Sequence, residues 1–167
     1  MHTQSLFQMG AFIFRYLNRD QKLKILDVGS MDLGDGGNNY RNYLVCPNWE
    51  YNGLDIGPGK NVDIVSKDPY HFPIADNTYD VVISGQAMEH VEDIYAWVRE
   101  IARVLKPGGI VCIIAPCGWG EHRHPVDCWR FYPDGMRFLL VKIAGLREER
   151  IYCESPDTVG IARKIGG

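Results

Sequence analysis

Short apolar runs, set off by polar turns, alternate along this chain with stretches whose apolar positions recur every three or four residues. Such alternation of strand-like and helix-like patterns predicts an α/β fold on a mostly parallel sheet. Lys24 to Val28 reads as a buried strand that runs into the turn Gly29-Ser30-Met31-Asp32-Leu33-Gly34. Glycine there lets the chain turn sharply and lets a ligand approach the main chain. Ligands of open α/β sheets bind beyond the carboxyl ends of the strands. Asp27 to Gly34 is therefore the predicted edge of a crevice.

Before this turn, Leu6, Met9, Ile13 and Tyr16 or Leu17 share one face. They predict a helix over 4–17, laid on the sheet rather than over the crevice as a lid. After it, Asp35-Gly36-Gly37-Asn38-Asn39 predicts a loop and Tyr40 to Val45 one or two helical turns. Glu50 to Ile56 reads as a second strand and Val62 to Ser66 as a third. Between them stands only Gly57-Pro58-Gly59-Lys60-Asn61, too short for the helix of an ordinary parallel crossover. Parallel pairing would then require short strands and an extended link. It would leave one face of the sheet edge to be covered by the N-terminal helix or by a partner subunit, as in a homodimer.

Tyr79 to Ser84, nearly all apolar, predicts a central fourth strand. A turn through Met88 to Val91 and a helix from Asp93 to Leu105 follow, with Tyr95, Val98, Ile101, Ala102 and Leu105 expected in the core. Lys106-Pro107-Gly108-Gly109 stops that helix. Ile110 to Ala115 predicts a fifth strand, and Pro116 to Tyr132 an irregular segment rich in His, Trp and Arg. Pro133 opens a helix reaching Gly145, and Arg147–Cys153 with Thr158–Ile165 predicts a closing hairpin. No repeat or linker interrupts the chain, so 1–167 reads as one domain, with an N-terminal helix in 1–20 and an active-site loop over 116–132.

Its 167 residues suffice for one α/β domain with a full core. A net charge of -3, without a basic tract, argues against a nucleic-acid partner. Cys46, Cys112, Cys117, Cys128 and Cys153 are scattered without a Cys-x-x-Cys pair, as expected of small hydrophobes in a reducing compartment. No run has the length of a membrane span, and the N-terminus lacks the pattern of a secretory leader. The expectation is a cytoplasmic protein.

Asp55 follows the glycine turn by about twenty residues, where dinucleotide sites place an acid on a ribose. The Gly-x-Gly-x-x-Gly of a nucleotide-linked oxidoreductase is absent. Taken together, Leu26-Asp27-Val28-Gly29, Gly53-Leu54-Asp55-Ile56, Tyr79 to Ser84, Glu89-His90-Val91 and Arg103-Val104-Leu105-Lys106-Pro107-Gly108-Gly109 resemble class I S-adenosylmethionine (SAM)-dependent methyltransferases of the type 11-like kind. The likeness runs over about residues 22–152. His124-Pro125-Val126-Asp127-Cys128-Trp129-Arg130-Phe131-Tyr132 further resembles a bacterial subgroup associated with glycan or polysaccharide biosynthesis. In one place the chain departs from the family: Met31 and Leu33 stand at two of the usual glycine positions.

The resemblance implies a Rossmann-like, mostly parallel seven-stranded sheet with an antiparallel C-terminal strand and reduced helices around strands two and three. It implies SAM as cofactor, with Asp27, Gly29 and Ser30 at the amino acid end and Asp55 on both ribose hydroxyls. A carboxylate has two acceptor oxygens and so fits a diol. Ile56, Asp68 and Pro69 are implied around the adenine, and Ser84, Gly85 and Gln86 around the sulfonium. Each acid also has a purely structural role open to it, as a cap or an Asx turn.

For methyl transfer to a sugar hydroxyl or another small-molecule or glycan acceptor, a base is expected after strand five. His124 is the candidate, oriented by Asp127. His124 is equally placed to buttress the loop, and Asp127 to pair with Arg130. His122-x-His124-x-x-Asp127 falls short of a full ligand set, so no metal is expected. Trp119, Trp129 and Tyr132 could stack on a sugar or cover the core. A SAM-binding subunit or sensor without activity is the alternative.

Overall fold

A computed structural model of the chain describes residues 2–34 and 39–166. Apart from Asn39, the loop predicted over Asp35–Asn39 lies outside the described residues. Seven strands form one sheet: β1 (Leu23–Val28), β2 (Trp49–Asp55), β3 (Ile64–Val65), β4 (Tyr79–Gly85), β5 (Leu105–Pro116), β6 (Arg147–Glu154) and β7 (Asp157–Arg163). Their order is β3-β2-β1-β4-β5-β7-β6. The first five are parallel, and β7 runs antiparallel between β5 and β6. The order reverses between β1 and β4, so the carboxyl ends of those strands flank the switch point where α/β sheets bind ligands.

Side chains alternate across the sheet as strand geometry requires. Ile25, Val81, Ile83, Ile110, Cys112 and Ile114 face helix α1 (Thr3–Tyr16), which buries Leu6, Met9, Phe12 and Ile13 against them. The N-terminal helix thus lies on the sheet, and only its cap residue His2 reaches the crevice. Leu26, Val28, Val82, Val111 and Ile113 face the opposite layer, α2 (Ile94–Val104) and α3. Helix α3 begins over Pro133–Arg137 and widens into a π-wound stretch over Phe138–Ile143. Gly160 of β7 admits this close packing, since a Cβ there would stand 2.7 Å from Met136 Cγ.

Three expectations change. The third strand is two residues long and pairs only with Leu54 and Asp55. The parallel link is feasible because β2 keeps its full length against β1 and offers only its tip to β3. Asn61 turns the link at a φ of 70°, and the Asp63 side chain closes it by accepting from Gly53 N at 2.8 Å. Second, β5 starts at Leu105 rather than Ile110: Leu105 pairs with Tyr79, and a bulge absorbs Lys-Pro-Gly-Gly. Third, Tyr95 is 47% exposed and meets Phe138 edge-on, while Trp97 takes the buried place.

Candidate active site

The tip of β1 carries Asp27, 2% exposed, whose Oδ2 accepts from the Tyr51 hydroxyl at 2.7 Å. That hydroxyl accepts in turn from Asn61 Nδ2 at 3.0 Å, and the same amide donates to Ser30 O at 2.9 Å. Burial pushes the Asp27 carboxyl up to about 7; the Tyr51 hydroxyl opposes the rise and neighbouring Asp55 adds to it. After β1 the chain turns at Gly29, at a φ of 79°, where a Cβ would stand 2.3 Å from the Ala87 Cβ. Only glycine allows both the turn and this approach.

At the next tip, Asp55 holds the turn from both sides: Oδ2 accepts from Met31 N and Oδ1 from Ile56 N, each at 2.8 Å. Each oxygen keeps a lone pair for a further donor. The methionine that departs from the family's glycine pattern has a place in this arrangement. Its side chain lies over the β2–β3 link, where a Cβ on Gly59 would stand 3.0 Å from Met31 Cγ. A wide turn with glycines beneath it makes room for the larger side chain.

Two adjoining lobes of about 580 and 780 Å³ open at these tips, and Gly29, Met31, Leu33, Gln86, His90 and His124 line both. Asp55, Ile56, Pro69, Tyr70, Phe72 and Trp97 line the smaller lobe, an apolar slot of a size for an aromatic base beside one acid. Asp27, Ser30, Gly85, His122 and Trp119 line the larger. Gln86, at a φ of 56°, is held there by its Nε2 donating to Asp157 Oδ1 at 3.0 Å. An acid at one strand tip, an apolar slot beside it and a second acid beyond the glycine turn fit a bound SAM.

Other expected residues stand off the walls. Ser84 is fully buried and donates to Val28 O at 2.7 Å, tying β4 to β1. Asp68 Oδ1 accepts from Tyr70 N at 2.8 Å in an Asx turn, leaving Ser66, Pro69 and Tyr70 to form the wall. Asp127 does not face His124. Its carboxylate takes both Arg130 terminal nitrogens, at 2.5 and 2.8 Å, and His122 N at 2.6 Å. Arg130 holds that carboxyl well below its usual range. The same guanidinium donates to Trp119 O and Gly120 O, so the pair organises the loop. His124 lines both lobes, its ring centroid 5.6 Å from that of His90.

Beneath these rings lies Glu89, fully buried, with both carboxylate oxygens lacking a hydrogen-bond partner among the described residues. Burial pushes it up to about 7 against the pull of His122 and Arg130. Sequence periodicity gives no sign of this group, because its neighbours arrive from the loop after β5.

Residues 31–113 match the methyltransferase domain family. A demethylmenaquinone methyltransferase of Corynebacterium efficiens is 33% identical over 67% of this chain and 51% of its own length. Its counterpart from Corynebacterium urealyticum is 32% identical over 54% of this chain and 40% of its own. The chain thus spans about half the length, or less, of these curated relatives. They are named for demethylmenaquinone and not for a glycan. Among solved structures, a SAM-dependent methyltransferase from Aquifex aeolicus superposes with a TM-score of 0.65 at 18% identity, over 93% of this chain and 89% of that one. The [4+2]-cyclase SpnF superposes at 0.75 and 17% identity, over 97% and 81%. At such identities the likeness is one of fold. The sheet order and the match lead to one conclusion: the chain has a class I methyltransferase fold, residues 31–113 match the methyltransferase domain family, and the cofactor this implies is S-adenosylmethionine.

Proposed function

We propose that the chain transfers the methyl group of SAM to a small-molecule acceptor seated in the larger lobe. The observation that carries this is the placement of Asp27 and Asp55 at adjoining strand tips, each on one lobe of a continuous crevice. Asp55 takes the ribose hydroxyls, and Ile56 and Pro69 flank the adenine. Asp27, Gly29 and Ser30 hold the amino acid end. Gly85 and Gln86 border the methyl path.

Bound SAM supplies an electrophilic methyl group on a positively charged sulfur. The protein orients the reactants. Asp27, Gly29, Ser30 and Asp55 would hold SAM with its methyl group toward the acceptor hydroxyl, and the chemistry it would supply there is displacement at that methyl group. A ring nitrogen of His124 takes the hydroxyl proton. The larger lobe is rich in polar side chains, including Asn39, Gln86, Glu121 and His122. That lining favours a hydroxylated acceptor such as a sugar over an isoprenoid quinol, the class suggested by the relatives' names.

The test is a methyl-transfer screen with SAM over nucleotide sugars, glycans and demethylmenaquinol. Turnover on a sugar is expected. Turnover on the quinol alone would reverse the acceptor assignment, and SAM binding without turnover on any class would favour a sensor subunit. His124→Ala is expected to lower kcat about 100-fold and to leave S-adenosylhomocysteine affinity within about twofold. Full activity in that variant would remove His124 as the base.

A further inference from the structure

We propose that Glu89, His90 and His122 form a binding site for a divalent transition-metal ion of the zinc class, opening on the larger lobe. Their donor atoms lie within 4.8 Å of one another. Glu89 Oε1 is 3.4 Å from His122 Nε2 and 3.7 Å from His90 Nε2.

The hydrogen bonds of the two rings define what those nitrogens offer. His90 Nδ1 is 2.6 Å from Val126 O, and a carbonyl oxygen only accepts, so Nδ1 carries the proton. His122 Nδ1 is likewise 3.1 Å from Gly120 O. In each neutral ring the Nε2 lone pair is then free, within 3.7 Å of a buried carboxylate that has no hydrogen-bond partner among the described residues. A cation between the three groups would pair with all of them. Backbone carbonyls that fix the tautomer of a ring are the usual outer partners of metal-bound imidazole. Asp127, with Oδ2 3.5 Å from His122 Nδ1, adds a carboxylate to that outer layer.

Donor type selects the metal. Two imidazoles and one carboxylate suit zinc or a neighbouring first-row ion, whereas magnesium and calcium prefer oxygen alone. Metal–ligand bonds of about 2.0–2.2 Å place tetrahedral ligand atoms roughly 3.4 Å apart, so small side-chain movements close the site. Three protein ligands leave a fourth position. His90 and His122 line the larger lobe, so that position faces the acceptor. There the ion would hold an acceptor oxygen and lower the pKa of its hydroxyl. This last role rests on the methyl-transfer reading; metal binding does not.

The direct test is calorimetric titration of the purified chain, stripped with chelator, with zinc chloride. One zinc per chain is expected, with affinity falling at least tenfold in His122→Ala and in Glu89→Gln. Cobalt chloride should give visible ligand-field absorption that both variants lose. An unchanged thermal unfolding midpoint shows that the half-exposed His122 position tolerates the change, and Glu89→Gln, nearly the same shape, serves if it does not. No saturable zinc binding, or equal binding in the parent and both variants, overturns the site. Tighter binding of magnesium than zinc overturns the imidazole ligation. The titration needs neither SAM nor acceptor, so a failed metal site and a failed methyl transfer are told apart.

Discussion

Asp27 illustrates a conflict between stability and binding at one residue. Its carboxyl is raised to about 7 in the folded protein, against an ordinary value near 3.8. A raised acid penalises folding where the unfolded chain ionises and the folded one does not. The cost is absent below the ordinary value, grows as pH rises toward 7 and is constant above. Asp27→Asn is therefore expected to stabilise the protein by about 1–2 kcal/mol at pH 8 and by little at pH 4, as read by denaturant unfolding. The same change should weaken S-adenosylhomocysteine binding at least tenfold. The positions of Asp27 and Asp55 at strand tips and of Gly29 in the turn were legible in the sequence because strand ends and turn residues leave a local pattern. The setting of Asp127 was legible only as one of two roles, and the structure gives it to Arg130. Glu89 was not legible, since its burial depends on a loop some thirty residues on. Cysteine usage splits likewise: Cys112 is a buried hydrophobe, whereas Cys117 and exposed Cys153 lie with their sulfurs 2.9 Å apart where the β6–β7 turn meets the end of β5.

Among the elements, α2 is anchored from outside its own sequence. Asp93 caps its start by accepting from Ala96 N at 2.9 Å. Its last carbonyls receive Lys164 Nζ, which donates to Ala102 O and Leu105 O from beyond β7. On its flank, Glu100 accepts from Phe72 N at 2.6 Å and takes Arg103, which also holds Phe72 O, Ile74 O and Asp76. Burial drives the Glu100 carboxyl up, but these donors outweigh it and hold it below its usual range. Removing the guanidinium leaves a buried carboxylate unpaired, so Arg103→Met is expected to cost about 2–3 kcal/mol at pH 7. A depressed acid stabilises above its ordinary range and loses this as pH falls through it. The variant should accordingly approach the parent near pH 3, as checked by unfolding curves at both pH values. Periodicity placed this helix within a residue at each end. It misplaced Tyr95, because one turn offers two aromatic residues and the packing of α3 decides between them. The true extent of β5 was hidden, since Pro and Gly read as a stop and a bulge leaves no apolar signature.

For the whole molecule, the family resemblance implied seven strands with an antiparallel C-terminal one, and the alternating apolar pattern was enough to foresee a mostly parallel sheet, a closing hairpin and a helix-free link between β2 and β3. It could not foresee how a helix-free parallel link closes, which depends on Asn61 and Asp63 reaching back to the turn after β1 and to β2. The fold does not by itself set the chemistry, as its likeness to a cyclase makes plain. The methyl-transfer reading rests on the pair of acids across one crevice, and calorimetric titration with S-adenosylhomocysteine tests that pair most directly. One site per chain is expected in the parent protein, with affinity reduced at least tenfold in Asp55→Ala. Equal affinity in the two proteins would contradict the assignment.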